Sequence, residues 1–208
     1  MTTATKYDPQ AERWSEEAYA DPERYLRRRA AIVISLGPAL GPGDRVLDLA
    51  CGDAGLAEPL LRNGLRYIGV DLSASMVEAA ARRLAGRGTV IQGDLNDFRP
   101  SDRVAATTCF RAIYYARDRL AFFRHVAEFT ERKFVFDLNP RQYRVEDVRA
   151  DLRAVGFNRL YLRPFFVPQT RSLPVPLAVG LEAAERIPPL ARALLHFRFT
   201  YLCAASLT

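Results

Sequence analysis

Three aspartates, Asp48, Asp71 and Asp94, stand at equal intervals, each within or at the end of a short apolar run that reads as a β-strand. Between the first two lies Ala50-Cys51-Gly52-Asp53-Ala54-Gly55, a loop of small residues, followed by the apolar-periodic stretch Leu56 to Leu61. Strand, glycine-bearing loop, helix, strand and acidic end form a βαβ unit suited to a nucleoside-like ligand. Small residues let the backbone approach the ligand, and a helix start offers free N–H groups. A carboxylate closing the second strand, as Asp71 does after Tyr67 to Val70, can accept hydrogen bonds from two ribose hydroxyls. Read as A-x-G-x-x-G, the loop is also a damaged dinucleotide fingerprint with Ala50 in place of the first glycine. Asp48 argues against that ligand, because a carboxylate inside the first strand would repel a pyrophosphate. It suits a ligand with a cationic end.

On these residues the stretch Arg45 to Asp71 resembles motif I of the class I S-adenosylmethionine-dependent methyltransferases, an acidic residue followed by a loop like G-x-G-x-G. The chain departs from that pattern where Ala50 replaces the first glycine and Ala54 the third, with Gly55 one step late. The resemblance implies S-adenosylmethionine as cofactor, with Asp48 placing its amino group, Ala50, Cys51 and Gly52 forming the loop against it, and Asp71 holding the ribose. It further implies that Leu72 and Met76 pack on the adenine, and that Asp94 and the Leu95 amide bind the adenine edge. Bland alternatives exist for each: Met76 as a core residue, Asp94 as a turn former beside Asn96 and Asp97. The N-terminal pattern around Tyr7, Asp8, Ala11 and Trp14 is similar to a segment that in the family lies across the cofactor. Tyr7 and Trp14 are thus expected either to close the site or merely to staple a helix onto the core. An arginine of the run Arg27-Arg28-Arg29 is an alternative partner for the cofactor carboxylate.

The fourth strand, Val104 to Phe110, is followed by Tyr114 and Tyr115, and the fifth ends at Asp137-Leu138-Asn139. Parallel sheets place ligands at the carboxyl ends of their strands. In related enzymes the tip of strand four borders the transferable methyl group, so the resemblance implies Phe110 beside the cofactor and Tyr114, Tyr115 and Asn139 beside the methyl acceptor. A tyrosine there can orient an acceptor, present its ring to a sulfonium cation or wall an apolar pocket. Lining is preferred over general-base work, since a free tyrosine ionises near pH 10.

The elements that must position these residues alternate β and α along the chain. Helices are expected at Ala74 to Leu84, capped by Ser73, at Arg119 to Phe129 and at Val145 to Val155. Strands are expected at 89–94, 133–139, 159–167 and 196–206. Residues 1–43 read as a helical cover, with Asp21-Pro22 as a helix start. The proline-rich, apolar stretch 168–195 reads as an insertion over the acceptor. The expected fold is a single α/β domain over 1–208, a doubly wound, mostly parallel seven-stranded sheet of the Rossmann-like methyltransferase kind.

Composition is consistent with one globular domain: 208 residues, 49% hydrophobic and 26% charged, which leaves no room for two comfortable domains. The net charge of +6 is carried mostly by scattered arginines, without the block a nucleic-acid tail needs. Three widely spaced cysteines in apolar surroundings fit reduced thiols of a cytoplasmic protein, not a disulfide framework. No apolar stretch is long enough to span a bilayer, and neither His125 nor His196 falls near a strand tip, so no metal site is expected.

The resemblance thus implies methyl transfer to a small, partly hydrophobic molecule through an O, N or C acceptor. Competing readings are an RNA or protein methyltransferase, a non-catalytic S-adenosylmethionine-binding protein, and a nicotinamide oxidoreductase, the last disfavoured by Asp48. RNA is not favoured as a partner and DNA is not expected. The apolar insertion leaves a homodimer contact open.

Overall fold

The computed structural model describes residues 11, 14–167, 169–171, 173–187, 189–191 and 200–207. Seven strands form one sheet in the order β3-β2-β1-β4-β5-β7-β6. They are β1 Arg45–Leu49, β2 Arg66–Asp71, β3 Thr89–Gln92, β4 Val104–Cys109, β5 Thr130–Leu138, β6 Arg159–Phe165 and β7 Thr200–Ser206. β7 runs antiparallel to both its neighbours, whereas β1 to β5 pair in parallel. The chain reverses its strand order between β1 and β4, which opens a crevice at the carboxyl ends of those strands. Both central strands are almost wholly buried. The expected doubly wound sheet is therefore the observed one.

Helices cover both faces. Before the sheet come α1 Trp14–Ala18 and α2 Pro22–Ser35; α3 Ala57–Leu61 and α4 Ala74–Leu84 flank β2. α5 Arg119–Phe129, α6 Val145–Ala154 and α7 Val175–Ala184 follow β4, β5 and β6. Local chemistry starts them: Asp21 accepts from the Arg24 amide with Pro22 at the first turn, Ser73 from the Met76 amide, and Asp118 from the Ala121 amide. One face of the sheet is filled by a phenylalanine cluster in which Phe134 and Phe136 stack at 4.8 Å and Phe122 and Phe123 pack on them. Each such side chain contributes about 1.5–3 kcal/mol on burial.

Several boundaries differ from the sequence reading. The N-terminal cover is two helices, because Tyr19 to Asp21 break it before Pro22. The third strand stops at Gln92, leaving Gly93 and Asp94 in a turn where Asp94 accepts from the Asn96 amide. The fifth begins three residues early, at Thr130, whose hydroxyl bonds that of Thr107 on β4. Strand six ends at Phe165, since the Phe166 amide turns to the Glu185 carboxylate. Of the seventh strand, 196–199 lie outside the described residues.

The described part of 168–195 packs against the N-terminal cover. It docks α7 on α2 through Arg24–Glu182 at 2.8 Å and Arg28–Glu185 at 2.5 Å, and its Gln169 exchanges backbone and side-chain bonds with Ala18 and Ala20. It braces the N-terminal cover from outside.

Candidate functional site

A cavity of about 340 Å³ opens at the carboxyl ends of β1, β2 and β4, beneath α1. Its floor is the loop after β1. There Ala50, Gly52 and Ala54 all adopt left-handed backbone, at φ 57°, 57° and 55°. These are the positions that glycines hold in a G-x-G-x-G loop, so the loop keeps the glycine path although two of the residues carry a Cβ. Each such alanine costs about 1–2 kcal/mol. Gly55, one step later, serves packing: a Cβ there would meet the Ser15 hydroxyl at 2.2 Å.

Asp71 ends β2 with both carboxylate oxygens oriented by backbone, Oδ2 accepting from the Gly52 amide at 2.8 Å and Oδ1 from the Ser73 amide at 3.0 Å. Burial nevertheless raises its pKa above the usual carboxylate value, the amides opposing that rise. Asp71 lines the cavity with Leu72 and Met76. Asp48 lies deeper, 4% exposed, accepting from the Tyr67 hydroxyl at 2.8 Å and the Thr108 hydroxyl at 2.6 Å. Burial pushes its pKa up to about 6, against the pull of those two hydroxyls and of Arg29.

Asp94 and Leu95 also line the cavity. Burial would raise the Asp94 pKa, but the Asn96 bonds and the Arg117 guanidinium at 2.8 Å outweigh it and hold it low. Both Asp94 oxygens are thus already engaged, Oδ1 by Asn96 and Oδ2 by Arg117. Cys51 also lines the site, with burial raising its thiol pKa well above normal, so it is a wall and not a nucleophile.

The cover is Trp14, whose ring lies over Gly52, so close that a Cβ there would stand 3.1 Å from it. Its neighbour Ser15 is bound to Asp53. Tyr7 lies outside the described residues. Phe110, Tyr114 and Tyr115 line the cavity beyond β4. Asn139 does not: its side-chain oxygen turns back to accept from the Arg141 amide, a local turn that removes it from the wall. His125 is buried and bonded to the Phe98 carbonyl, and among the described residues no metal-binding cluster occurs.

Two arginines complete the site. Arg29 of α2 is 3% exposed, with its guanidinium 4.4 Å from the Phe110 ring and 4.7 Å from that of Tyr25, whose hydroxyl it donates to. Burial opposes its charge, but Tyr25, Tyr19, Asp137 and Asp48 more than offset that and keep it protonated. Its Nε is buried without a partner among the described residues. The sequence reading could not choose among Arg27, Arg28 and Arg29; the structure brings Arg29 alone to the cavity, while Arg27 pairs with Glu23 and Arg28 with Glu185. Arg111, which sequence reasoning missed, follows β4 with φ 55° and lies over Trp14 and Tyr19. Asp53, read only as part of the loop, is 1% exposed and ties the loop to α1 and, through Arg83 at 2.7 Å, to α4.

Fold and crevice define a Rossmann-like domain with an open cavity at its switch point. Residues 46–133 match the family model described as a methyltransferase domain. An uncharacterized methyltransferase of Geobacillus kaustophilus is 35% identical over 72 residues, covering 33% of this chain and 34% of that protein. A Mycobacterium tuberculosis protein named as a probable fatty acid methyltransferase is 32% identical over 114 residues, covering 54% of this chain and 24% of its own length. The chain thus spans about a third and a quarter of these relatives. In fold it is similar to magnesium protoporphyrin IX methyltransferase of Synechocystis, solved with S-adenosylhomocysteine (TM-score 0.65, 14% identity, 99% and 98% of the two chains). It is also similar to a TehB-like S-adenosylmethionine-dependent methyltransferase of Corynebacterium glutamicum (TM-score 0.62, 13% identity, 96% and 97%). Residues 46–133 thus match a methyltransferase domain, on a fold like that of these two methyltransferases.

Proposed function

We propose that the protein transfers a methyl group from S-adenosylmethionine to a small, partly hydrophobic molecule. The observation that carries this is that one cavity is lined both by Asp71, a carboxylate at the end of β2, and by the buried Arg29, a guanidinium with a nitrogen unpartnered among the described residues. An amino-acid-bearing nucleoside needs both kinds of partner. Asp71 would hold the ribose hydroxyls, Leu72 and Met76 the adenine face, and Leu95 the adenine edge. Asp94, already bound by Arg117 and Asn96, has only its remaining lone pairs for the adenine amino group. Asp48 would face the amino group and Arg29 the carboxylate.

When bound, S-adenosylmethionine supplies a methyl group already activated on a sulfonium sulfur. The chain's part is then to hold the acceptor in line with it and to exclude water. Trp14 and Phe110 close the cavity with apolar surface, and Tyr114 and Tyr115 wall the acceptor side. Such walls, and the apolar acceptor implied by the name of the mycobacterial relative, support a hydrophobic substrate.

Calorimetry tests the reading. S-adenosylhomocysteine should bind and NAD should not; a clear NAD isotherm would sink it. Asp71→Ala removes charge-assisted hydrogen bonds worth roughly 1.5–3 kcal/mol. Affinity for S-adenosylhomocysteine should fall by about one to two orders of magnitude.

A further inference from the structure

We propose that the acceptor bears an oxyanion, a carboxylate or phosphate on an otherwise apolar frame, and that Arg111 receives it. The proposal rests on the methyltransferase reading above and names the substrate class for the same site. The cofactor brings one carboxylate, yet two arginines line the cavity with a buried nitrogen lacking a partner among the described residues, Nε of Arg29 and Nη1 of Arg111. Buried donors without acceptors are costly, and in native proteins they point to an absent partner.

The cavity's own carboxylates leave the Arg111 guanidinium unpaired. Asp48 is taken by Tyr67 and Thr108, Asp53 by Ser15 and Arg83, and Asp94 by Asn96 and Arg117. Asp71 accepts from the Gly52 and Ser73 amides and not from Arg111. Asp137 binds the Arg111 backbone, its Oδ1 accepting from that amide at 2.7 Å. Among the described residues no ion pair reaches the Arg111 side chain.

Arg111 is nonetheless held in place. Its backbone is pinned in the left-handed region by Asp137, and its guanidinium lies 5.5 Å from the Trp14 ring and 5.8 Å from that of Tyr19. Stacking fixes the plane of an arginine and leaves the donors at its edge available, the arrangement suited to a planar or tetrahedral oxyanion. The two cations also differ in depth. Arg29 is fully buried between Phe110 and Tyr25, whereas Arg111 is half-buried at the tip of β4, on the segment that carries Tyr114 and Tyr115. The deeper one suits the cofactor and the shallower one the molecule that enters last.

The test uses the full chain saturated with S-adenosylhomocysteine and titrated with benzoate, phenyl phosphate and benzyl alcohol. At least one anion should bind saturably at millimolar concentration and the alcohol much more weakly; whichever anion binds better identifies the oxyanion. Arg111→Gln should weaken that anion at least tenfold and leave S-adenosylhomocysteine affinity unchanged, and Arg111→Lys should restore part of the loss. Arg29→Gln should do the reverse, weakening S-adenosylhomocysteine. Equal anion binding by Arg111→Gln and wild type, or no anion binding by wild type, overturns the proposal. So does a loss of S-adenosylhomocysteine affinity in Arg111→Gln matching that in Arg29→Gln, which would give Arg111 to the cofactor. Failure of S-adenosylhomocysteine to bind the wild type overturns the underlying reading instead, and the proposal with it.

Discussion

Ser15 and Asp53 are joined twice: the Ser15 amide donates to Oδ2 at 3.0 Å and its hydroxyl to Oδ1 at 2.5 Å. Both residues are almost fully buried, and Asp53 is anchored in turn by Arg83 and the Gly55 amide. The pair latches α1 onto the loop after β1 and so sets Trp14 over Gly52. Ser15→Ala removes one buried hydrogen bond to a charged group, worth about 1.5–3 kcal/mol. It should loosen Trp14, red-shift its fluorescence, which is clean because the chain has a single tryptophan, and weaken S-adenosylhomocysteine about tenfold. Unchanged fluorescence and affinity would mean that other contacts hold the cover.

If Asp48 receives the cofactor's ammonium, as proposed, cofactor binding is pH-dependent. Its folded pKa, about 6, lies above the ordinary 3.8, so the folded protein binds more protons than the unfolded chain between those values. Stability from this group is therefore fully present below about 3.8 and is lost as pH rises through 6. Binding of the cofactor's ammonium runs the other way, since it needs the carboxylate ionised. Affinity for S-adenosylhomocysteine should rise as pH passes upward through 6, and Asp48→Asn should flatten that profile. The same variant, compared with wild type without ligand, should gain melting temperature as pH rises across this window. A wild-type profile already flat between pH 5 and 7 would remove Asp48 from the amino-group site.

Much of this arrangement is legible in the sequence where chemistry and position coincide. Asp71 closes an apolar run after a small-residue loop, and that alone marks the end of β2 in the sheet. The loop path is legible too, although Ala50 and Ala54 disguise it, because spacing survives when the glycines do not. Arg29 was within reach: it lies four residues after Tyr25 and shares its face with Ile32 and Val33, whereas Arg27 and Arg28 point elsewhere. Arg111 was not, since nothing local announces a left-handed arginine after a strand. The docking of α7 on α2 depends on Glu182 and Glu185 meeting Arg24 and Arg28 from more than 150 residues away. Asn139 misled because a strand tip fixes where a residue sits but not whether its side chain caps its own turn.

Lys133 is fully buried on β5 and donates to the Ile34 and Leu36 carbonyls at 3.2 and 2.8 Å, capping the end of α2. Since α2 carries Arg29, this bond seats that side of the cavity. Lys133→Met should lower stability by about 1–3 kcal/mol, because two buried carbonyls lose their donor. Burial lowers the lysine's pKa from 10.5 to about 8. Between those values the unfolded chain binds more protons, so wild-type stability rises with pH there. The gap in melting temperature between wild type and Lys133→Met should therefore widen on the alkaline side. A gap that narrows would show that the protonated amine makes the cap.

Tyr114 and Tyr115 meet ring to ring, 4.4 Å apart and tilted by 52°, on the 3₁₀ turn Ile113–Tyr115. The turn is closed by the Tyr115 amide donating to Ala112, which aims both side chains at the cavity from the end of β4. Phenylalanine at either position keeps the ring and deletes only the hydroxyl, which separates chemistry from packing. If the rings wall the acceptor, Tyr114→Phe and Tyr115→Phe should keep kcat within a few-fold and leave S-adenosylhomocysteine affinity unchanged. Tyr115→Ala should then raise the acceptor KM, since the half-buried ring is lost outright. The more exposed Tyr114 should show the smaller effect. A hydroxyl that takes a proton would behave differently, lowering kcat by roughly 10²-fold or more in the phenylalanine variant. Such a fall, with cofactor affinity intact, would move that tyrosine from wall to general base.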